Sequence, residues 1–123
     1  MGLIYKQMKL GGNKGEMDVT VLFDTGASLC FVRKDVAEKV ADISKAPARL
    51  KILTPSGTLE TEEAAILQLW VDGHALFWTF LVLPELSEDL IVGTDFFQRW
   101  KIRLDPERED IIIDPNALKL QLI

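Results

Sequence analysis

Apolar and polar residues alternate along most of the chain, which is the pattern of β-strands with one buried face. The clearest example covers residues 17–24. One face of this predicted strand carries Met17, Val19, Val21 and Phe23, and the other carries Asp18, Thr20, Leu22 and Asp24. Leu22 and Asp24 are therefore predicted to point to the same side of the sheet.

Turns that contain glycine or proline separate the strands and predict a series of hairpins. Gly11–Gly15 is expected to supply positive φ angles to the first turn, Thr54–Gly57 forms the second, and Asp72-Gly73 the third. A last hairpin is predicted around Pro106. The predicted strands cover residues 3–10, 17–23, 29–32, 50–53, 58–61, 64–71, 75–83, 90–92, 101–104 and 110–114.

Helical spacing of apolar residues occurs in two places. Between Arg33 and Ile43 the apolar positions follow the i, i+1, i+4, i+7 pattern, and Pro47 is expected to end this helix. A second short helix is predicted over 94–100, capped by Thr94 or Asp95. The class is mainly β, and closely spaced hairpins favour a closed, barrel-like fold built by one domain, residues 1–123.

The alternating tail, residues 117–123, has two possible roles. It can pair with the tail of a second copy, or it can close the barrel of its own chain. The sequence leaves both roles open.

Net charge and composition limit the classes of binding partner that the chain is expected to have. With 14 Lys and Arg against 19 Asp and Glu, the net charge of −5 repels phosphate backbones and anionic membrane surfaces, so no nucleic acid or membrane partner is expected. Residues 1–7 lack the features of a secretory signal, and the apolar stretch 75–83 is too short to span a bilayer. One cysteine and one histidine predict no disulfide, no metal site and a reducing, cytoplasmic location.

Asp24 follows directly on an apolar strand, and Gly26 then allows a sharp turn. A buried carboxylate is costly unless it is paired, hydrogen-bonded or protonated, so this position favours a chemical role. Alternatively, Asp24 opens a turn and its side chain folds back on the next amides. The triplet Asp24-Thr25-Gly26 alone fits both interpretations.

Three segments together resemble the retropepsin-like aspartic proteases, the family that includes the retroviral proteases. They are Asp24-Thr25-Gly26-Ala27-Ser28 after its apolar strand, a flap-like hairpin with Gly57 at its tip, and Leu90-Ile91-Val92-Gly93-Thr94-Asp95-Phe96-Phe97. They occur in the family's order, and the resemblance as a whole extends over nearly the entire chain. The resemblance implies a closed acid-protease barrel with one or two short helices, acting as a symmetric homodimer on a peptide or protein substrate without a cofactor.

Peptide hydrolysis by water explains why such a site needs two copies. One carboxylate takes a proton from the water while a neighbouring carboxylic acid polarises the carbonyl group. The chain contains a single Asp-Thr-Gly, so the second carboxylate is expected from Asp24 of another copy. The alternative function is a dimer of the same fold that binds a peptide or assembles with a partner and shows little or no turnover.

The resemblance also assigns roles to neighbouring residues. Thr25 would hydrogen-bond across the dimer axis, unless it is an ordinary turn residue, and Gly26 would present its backbone to the substrate. Gly93 and Asp95 match a structural Gly-x-Asp element, which can also serve as a helix cap. The candidates for substrate contact are Leu22, Ser28, Ser56, Gly57 and Ile91. The hairpin with Gly57 at its tip is either a mobile lid over the peptide or a plain surface turn.

Ala27 stands where pepsins usually carry Ser or Thr. A hydroxyl group at this position can donate a hydrogen bond to the ionised carboxylate pair and so lower the apparent pKa of the pair. Without this hydroxyl group, the pair is expected to keep its shared proton up to a less acidic pH. We therefore expect an optimum in weakly acidic rather than strongly acidic conditions.

Overall fold

The computed structural model describes residues 3–118 and consists mainly of β-strands. The strands are β1 Leu3–Gly11, β2 Glu16–Asp24, β3 Phe31–Arg33, β4 Ser44–Thr54, β5 Gly57–Val71, β6 His74–Leu83, β7 Leu90–Val92, β8 Ile102–Asp105 and β9 Asp110–Ile113. The α-helices are α1 Lys34–Val40 and α2 Thr94–Trp100, and a 3₁₀ turn covers Pro115–Leu118.

Seven strands form one sheet in the order β1-β2-β7-β3-β6-β5-β4. The sheet closes on itself because β1 also pairs with β5, with Leu10 opposite Leu69. A barrel of six strands results, and β4 extends from it as the outer arm of the β4–β5 hairpin. Strands β8 and β9 form a separate antiparallel pair. The predicted mainly β, closed-barrel fold is confirmed.

The alternation of β2 fills the barrel as predicted. Val19, Val21 and Phe23 are almost completely buried, and Phe23 stacks on Phe97 of α2 with ring centroids 6.2 Å apart. Full burial of such a side chain contributes about 1.5–3 kcal/mol relative to exposure. Packing of this strand therefore fixes the position at which Asp24 leaves the barrel.

The first turn differs from the prediction, because Gly11, Gly12 and Gly15 do not adopt positive φ. Gly12 is needed for close approach instead, since a Cβ atom there would lie 2.6 Å from the carbonyl oxygen of Val40. In the third turn Asp72 and Gly73 do adopt positive φ, at 49° and 81°, as a two-residue hairpin with this sequence requires.

The first helix ends earlier than predicted, at Val40 rather than Ile43. Its last carbonyl group accepts hydrogen bonds from the amides of Lys14 and Gly15, so the β1–β2 turn replaces the next helical turn. Pro47 does not end the helix. It lies in β4, an edge strand, at a register shift where a missing amide donor is tolerated.

The helix α2 has the predicted bounds but not the predicted cap. Its N-cap residue is Gly93, without a side-chain capping bond. The side chain of Asp95 accepts from the amide of the next residue, Phe96, at 2.8 Å, and its other bonds go to Trp78 and Cys30 rather than to the free amides of the helix start. The expectation of a cap from Thr94 or Asp95 is therefore wrong.

Other boundaries differ modestly. The two predicted strands over 58–61 and 64–71 form the single long strand β5, and the predicted strand over 29–32 begins only at Phe31. The predicted tail strand begins as the 3₁₀ turn, and its remainder, residues 119–123, lies outside the described residues, as does its role. Within residues 3–118 no helix combines the length and apolar character that crossing a membrane requires.

Candidate active site

Asp24 is the last residue of β2 and lies half-buried where the strand leaves the barrel. The chain turns sharply after it, because the amide of Gly26 donates to Oδ1 of Asp24 at 2.8 Å and the amide of Ala27 donates to its carbonyl oxygen at 3.2 Å. The turn interpretation of Asp24 predicts the first of these bonds. The second carboxylate oxygen, Oδ2, accepts no hydrogen bond from the described part of the chain.

A cleft of about 600 Å³ opens beside Asp24. One side is the loop Asp24–Leu29, and the opposite side is the tip of the β4–β5 hairpin. The wall between them is largely apolar and contains Phe31, Leu83, Leu86 and Ile91, which belong to a second hydrophobic cluster separate from the barrel core. Among residues 3–118, the charged side chains at the cleft besides Asp24 are Lys51 and Glu85.

The structure brings most of the predicted site residues to this cleft. Those that line it are Asp24, Gly26, Ala27, Ser28, Ser56 and Ile91. Thr25 is exposed beside the cleft, and Gly57 follows Ser56 at the hairpin tip. Leu22 does not line the cleft of a single chain, since it is only 7% exposed and lies opposite Ile91 in the β2–β7 pairing.

The tip of the β4–β5 hairpin has the sequence-predicted turn. Thr54 pairs with Gly57, and its hydroxyl donates to the carbonyl oxygen of Gly57 at 2.8 Å. Gly57 has a backbone φ angle of 140°, which residues other than glycine rarely adopt. Leu53, just before the turn, is 86% exposed. The hairpin therefore presents an exposed leucine next to its turn at the cleft.

The loop 84–89 forms another part of the cleft wall and is fastened by Asp89. Its carboxylate accepts hydrogen bonds from the side chain of Arg33 at 3.0 Å and from the amide of Thr20 at 2.9 Å. The carbonyl oxygen of Asp89 also accepts from the amide of Arg33. These three bonds hold the loop against β2 and β3.

The Gly93-Thr94 backbone packs directly behind the loop that carries Asp24. The amide of Thr94 donates to the carbonyl oxygen of Ala27 at 2.8 Å. A Cβ atom on Gly93 would lie 2.7 Å from the same oxygen and closer still to that of Leu29. Glycine at this position is therefore a requirement of close backbone approach.

Asp95 holds a small polar network behind the same loop. Its Oδ2 accepts from Trp78 Nε1 at 2.8 Å, and its Oδ1 accepts from the Cys30 thiol at 3.2 Å. Burial raises the pKa of the Cys30 thiol well above its ordinary value, and the charge of Asp95 acts in the same direction. The thiol therefore stays protonated and remains a hydrogen-bond donor.

The sequence pattern did not predict this network, although it joins the fully buried Cys30 to the half-buried Trp78. The signal that could have revealed the network is the indole N–H of Trp78 on an inward-facing strand position, because a buried indole usually finds an acceptor.

The family model described as retroviral aspartyl protease matches residues 15–119. The chain belongs to this family. The match contains every segment of the candidate site, from the strand that ends in Asp24 to Asp95 and α2. The resemblance inferred from the three motifs is therefore confirmed, and the barrel is an aspartic-protease fold of the retroviral type.

Two solved structures show the same fold. The retroviral protease-like domain of Ddi1 from Leishmania major is 19% identical with a TM-score of 0.61, over 93% of this chain and 86% of that one. EIAV protease in complex with the inhibitor HBY-793 is 19% identical with a TM-score of 0.60, over 76% of this chain and 84% of that one. A comparison with curated proteins finds no match.

Proposed function

We propose that the chain is an aspartic endopeptidase whose active site is completed by a second copy, with Asp24 from each protomer forming the catalytic pair. Family membership and fold support the general type of function. The observation that carries the proposal is the state of Asp24, whose Oδ1 is held by the Gly26 amide while Oδ2 lies without a partner in the described chain beside an apolar cleft.

This arrangement suits a carboxylate that shares a proton with a neighbour. The bond to Oδ1 fixes the plane of the carboxyl group, and Oδ2 stays available for a second carboxyl group or for the attacking water. When two carboxyl groups lie within hydrogen-bonding distance of each other, they cannot both be ionised. One keeps its proton and can polarise the substrate carbonyl, while the other activates the water. A single chain supplies only one of them.

The exposed face of the β1–β2 hairpin supports a second copy beside Asp24. Leu3 lies directly opposite Asp24, and Tyr5 lies opposite Leu22, so all four side chains share one face. Leu3 is 48% and Tyr5 is 55% exposed. Two large apolar side chains next to a catalytic carboxylate favour contact with a symmetry-related surface.

The cleft walls support an extended peptide as the substrate. Phe31, Leu83 and Ile91 offer apolar contacts close to Asp24, which favours apolar side chains next to the scissile bond. In this proposal the hairpin tip with Ser56 and Gly57 acts as a lid that excludes water.

The remaining site residues take roles that depend on the dimer. Thr25 bonds across the two-fold axis, Gly26 and Ser28 contact the substrate backbone, and Leu22 reaches substrate only once the partner is present. Location in a cytoplasmic, reducing compartment belongs to the same proposal, because the single cysteine requires no oxidising environment.

Cleavage of a mixed peptide library between pH 3 and 8 tests the proposal. Asp24→Asn is expected to lower the rate of peptide cleavage by about 10²–10⁴-fold, the usual contribution of a general acid or base. Asp18→Asn is the matched control, because Asp18 lies on the same face of β2 at its far, exposed end. Its rate should equal that of the wild type.

Two outcomes contradict the enzyme proposal. Absence of cleavage by the wild type over the whole pH range excludes efficient turnover, and saturable peptide binding under those conditions identifies the alternative, a peptide-binding or assembly module. Cleavage that survives Asp24→Asn excludes the carboxylate mechanism.

A further inference from the structure

Trp78 lies opposite the fully buried Leu67 in the β5–β6 pairing and carries a polar group that the barrel interior must satisfy. Its Nε1–H donates to Oδ2 of Asp95 at 2.8 Å. Oδ1 of the same carboxylate accepts from the Cys30 thiol at 3.2 Å. Because both oxygens have partners, Trp78 and Cys30 together fix the orientation of the Asp95 side chain.

The network reaches the loop that carries Asp24 through two backbone amides. That of Gly93 donates to Cys30 Sγ at 3.3 Å, and that of Thr94 donates to the carbonyl oxygen of Ala27 at 2.8 Å. Ala27 in turn donates its own amide to the carbonyl oxygen of Asp24. A short path of hydrogen bonds therefore joins the barrel interior to the candidate catalytic residue.

We propose that Trp78 is a positioning residue of the active site, acting through Asp95 and Cys30 on the loop that carries Asp24. The kinetic consequence rests on the proposed function. The structural consequence does not, since loss of the indole N–H loosens the loop support whether or not the protein cleaves peptides.

Packing alone does not account for a tryptophan at this position, because a phenylalanine ring would fill similar space without a polar atom to satisfy. Trp70 offers the contrast within the same sheet. It is also half-buried, but it lies on β5 and packs its ring against the ammonium group of Lys9 at 4.4 Å. Trp78→Phe and Trp70→Phe therefore make the same chemical change inside and outside the network.

The first measurement is alkylation of Cys30, the only cysteine in the chain, in the native protein. Global stability of each variant is measured in parallel by urea unfolding. Trp78→Phe is expected to accelerate alkylation at least about tenfold beyond the effect of its global destabilisation, because a hydrogen bond to a charged group is lost. Trp70→Phe should show no such excess. Asp95→Asn, which keeps the size and loses one acceptor oxygen, should reproduce the excess if Trp78→Phe does not fold.

The second measurement separates kcat from KM on a peptide that the wild type cleaves. Trp78→Phe is expected to lower kcat about tenfold through misplacement of Asp24 and to leave KM within about twofold, because the apolar wall with Phe31, Leu83 and Ile91 lies outside the loosened loop. Trp70→Phe should change neither constant. Equal corrected alkylation in the two tryptophan variants overturns the proposal, and so does a Trp78→Phe effect confined to KM. If the wild type cleaves nothing, the proposed function fails while alkylation still decides the positioning role.

Discussion

The amide of Thr94 donates a hydrogen bond to the carbonyl oxygen of Ala27 at 2.8 Å, across 67 residues of sequence, and so fastens the start of α2 to the loop after Asp24. The contact is possible only because Gly93 carries no side chain where the two backbones meet. The loop is therefore held both by its own turn and by a second segment. This second support gives the Gly-x-Asp element a physical function apart from helix capping.

Gly93→Ala is expected to lower the free energy of unfolding by about 1–3 kcal/mol, the usual cost of overpacking. The atoms that obstruct the new Cβ atom belong to the backbone and cannot rotate away. Activity should fall along with stability. Gly15→Ala is the control, since the nearest atom to its new Cβ would lie 3.9 Å away. Urea unfolding of both variants checks this prediction, and equal stability losses would contradict it.

The buried thiol of Cys30 predicts a loss of stability at alkaline pH. Burial raises the pKa of the Cys30 thiol in the folded state above its unfolded value of about 8.5. Above that pH the unfolded chain releases a proton that the folded chain retains, so the free energy of unfolding falls by up to about 1.4 kcal/mol per pH unit. At lower pH both states hold the proton, and the contribution of Cys30 to the slope vanishes.

Cys30→Ser isolates this contribution, because serine does not titrate in the same range and keeps a donor and an acceptor. The free energy of unfolding, measured between pH 7 and 10, should fall less steeply for Cys30→Ser than for the wild type. Parallel curves would show that the thiol does not titrate on unfolding.

The sequence predicted those features that local chemistry determines. Strict alternation set the faces of β2, and Asp72-Gly73 specified its hairpin because only a few residues tolerate two successive positive φ angles. The family motifs located the loop and the Gly93-Asp95 segment. These signals sufficed for the barrel and for the catalytic loop side of the cleft, but not for most of the apolar residues that line it.

Long-range contacts account for what the sequence missed. Val40 ends α1 because its carbonyl group is used by Lys14 and Gly15, which no local pattern reveals. Pro47 resembles a helix terminator in the sequence but lies at an edge-strand irregularity. The partners of Asp95 come from positions 65 and 17 residues earlier in the chain. Their meeting depends on the position of β3 between β6 and β7 in the sheet.

Ala27→Ser is expected to move the pH optimum of cleavage toward more acidic values. The new hydroxyl group can donate a hydrogen bond to the ionised carboxylate pair, so the pair gives up its shared proton at lower pH. The wild type should peak in weakly acidic conditions. A pH–rate profile of kcat/KM for both proteins checks the shift, and Ser28→Ala, which changes the next residue of the cleft lining, serves as the control. A wild-type peak near pH 2–3, roughly where a pepsin-like pair works, or an unshifted variant would contradict the explanation.

Dependence on a second copy predicts that specific activity falls on dilution, because the carboxylate pair exists only in the associated state. Tyr5→Lys should raise the dimer dissociation constant at least about tenfold, since it places a charge on the apolar face next to Asp24. Ile66→Lys is the matched control, because Ile66 is also an exposed apolar residue, at 66% against 55% for Tyr5, but lies on β5 rather than on the β1–β2 face. Activity and sedimentation should be followed over the same concentration series. A rate strictly proportional to protein concentration while sedimentation shows a monomer would exclude a site shared between copies, and equal effects of the two lysine variants would exclude the β1–β2 face as the interface.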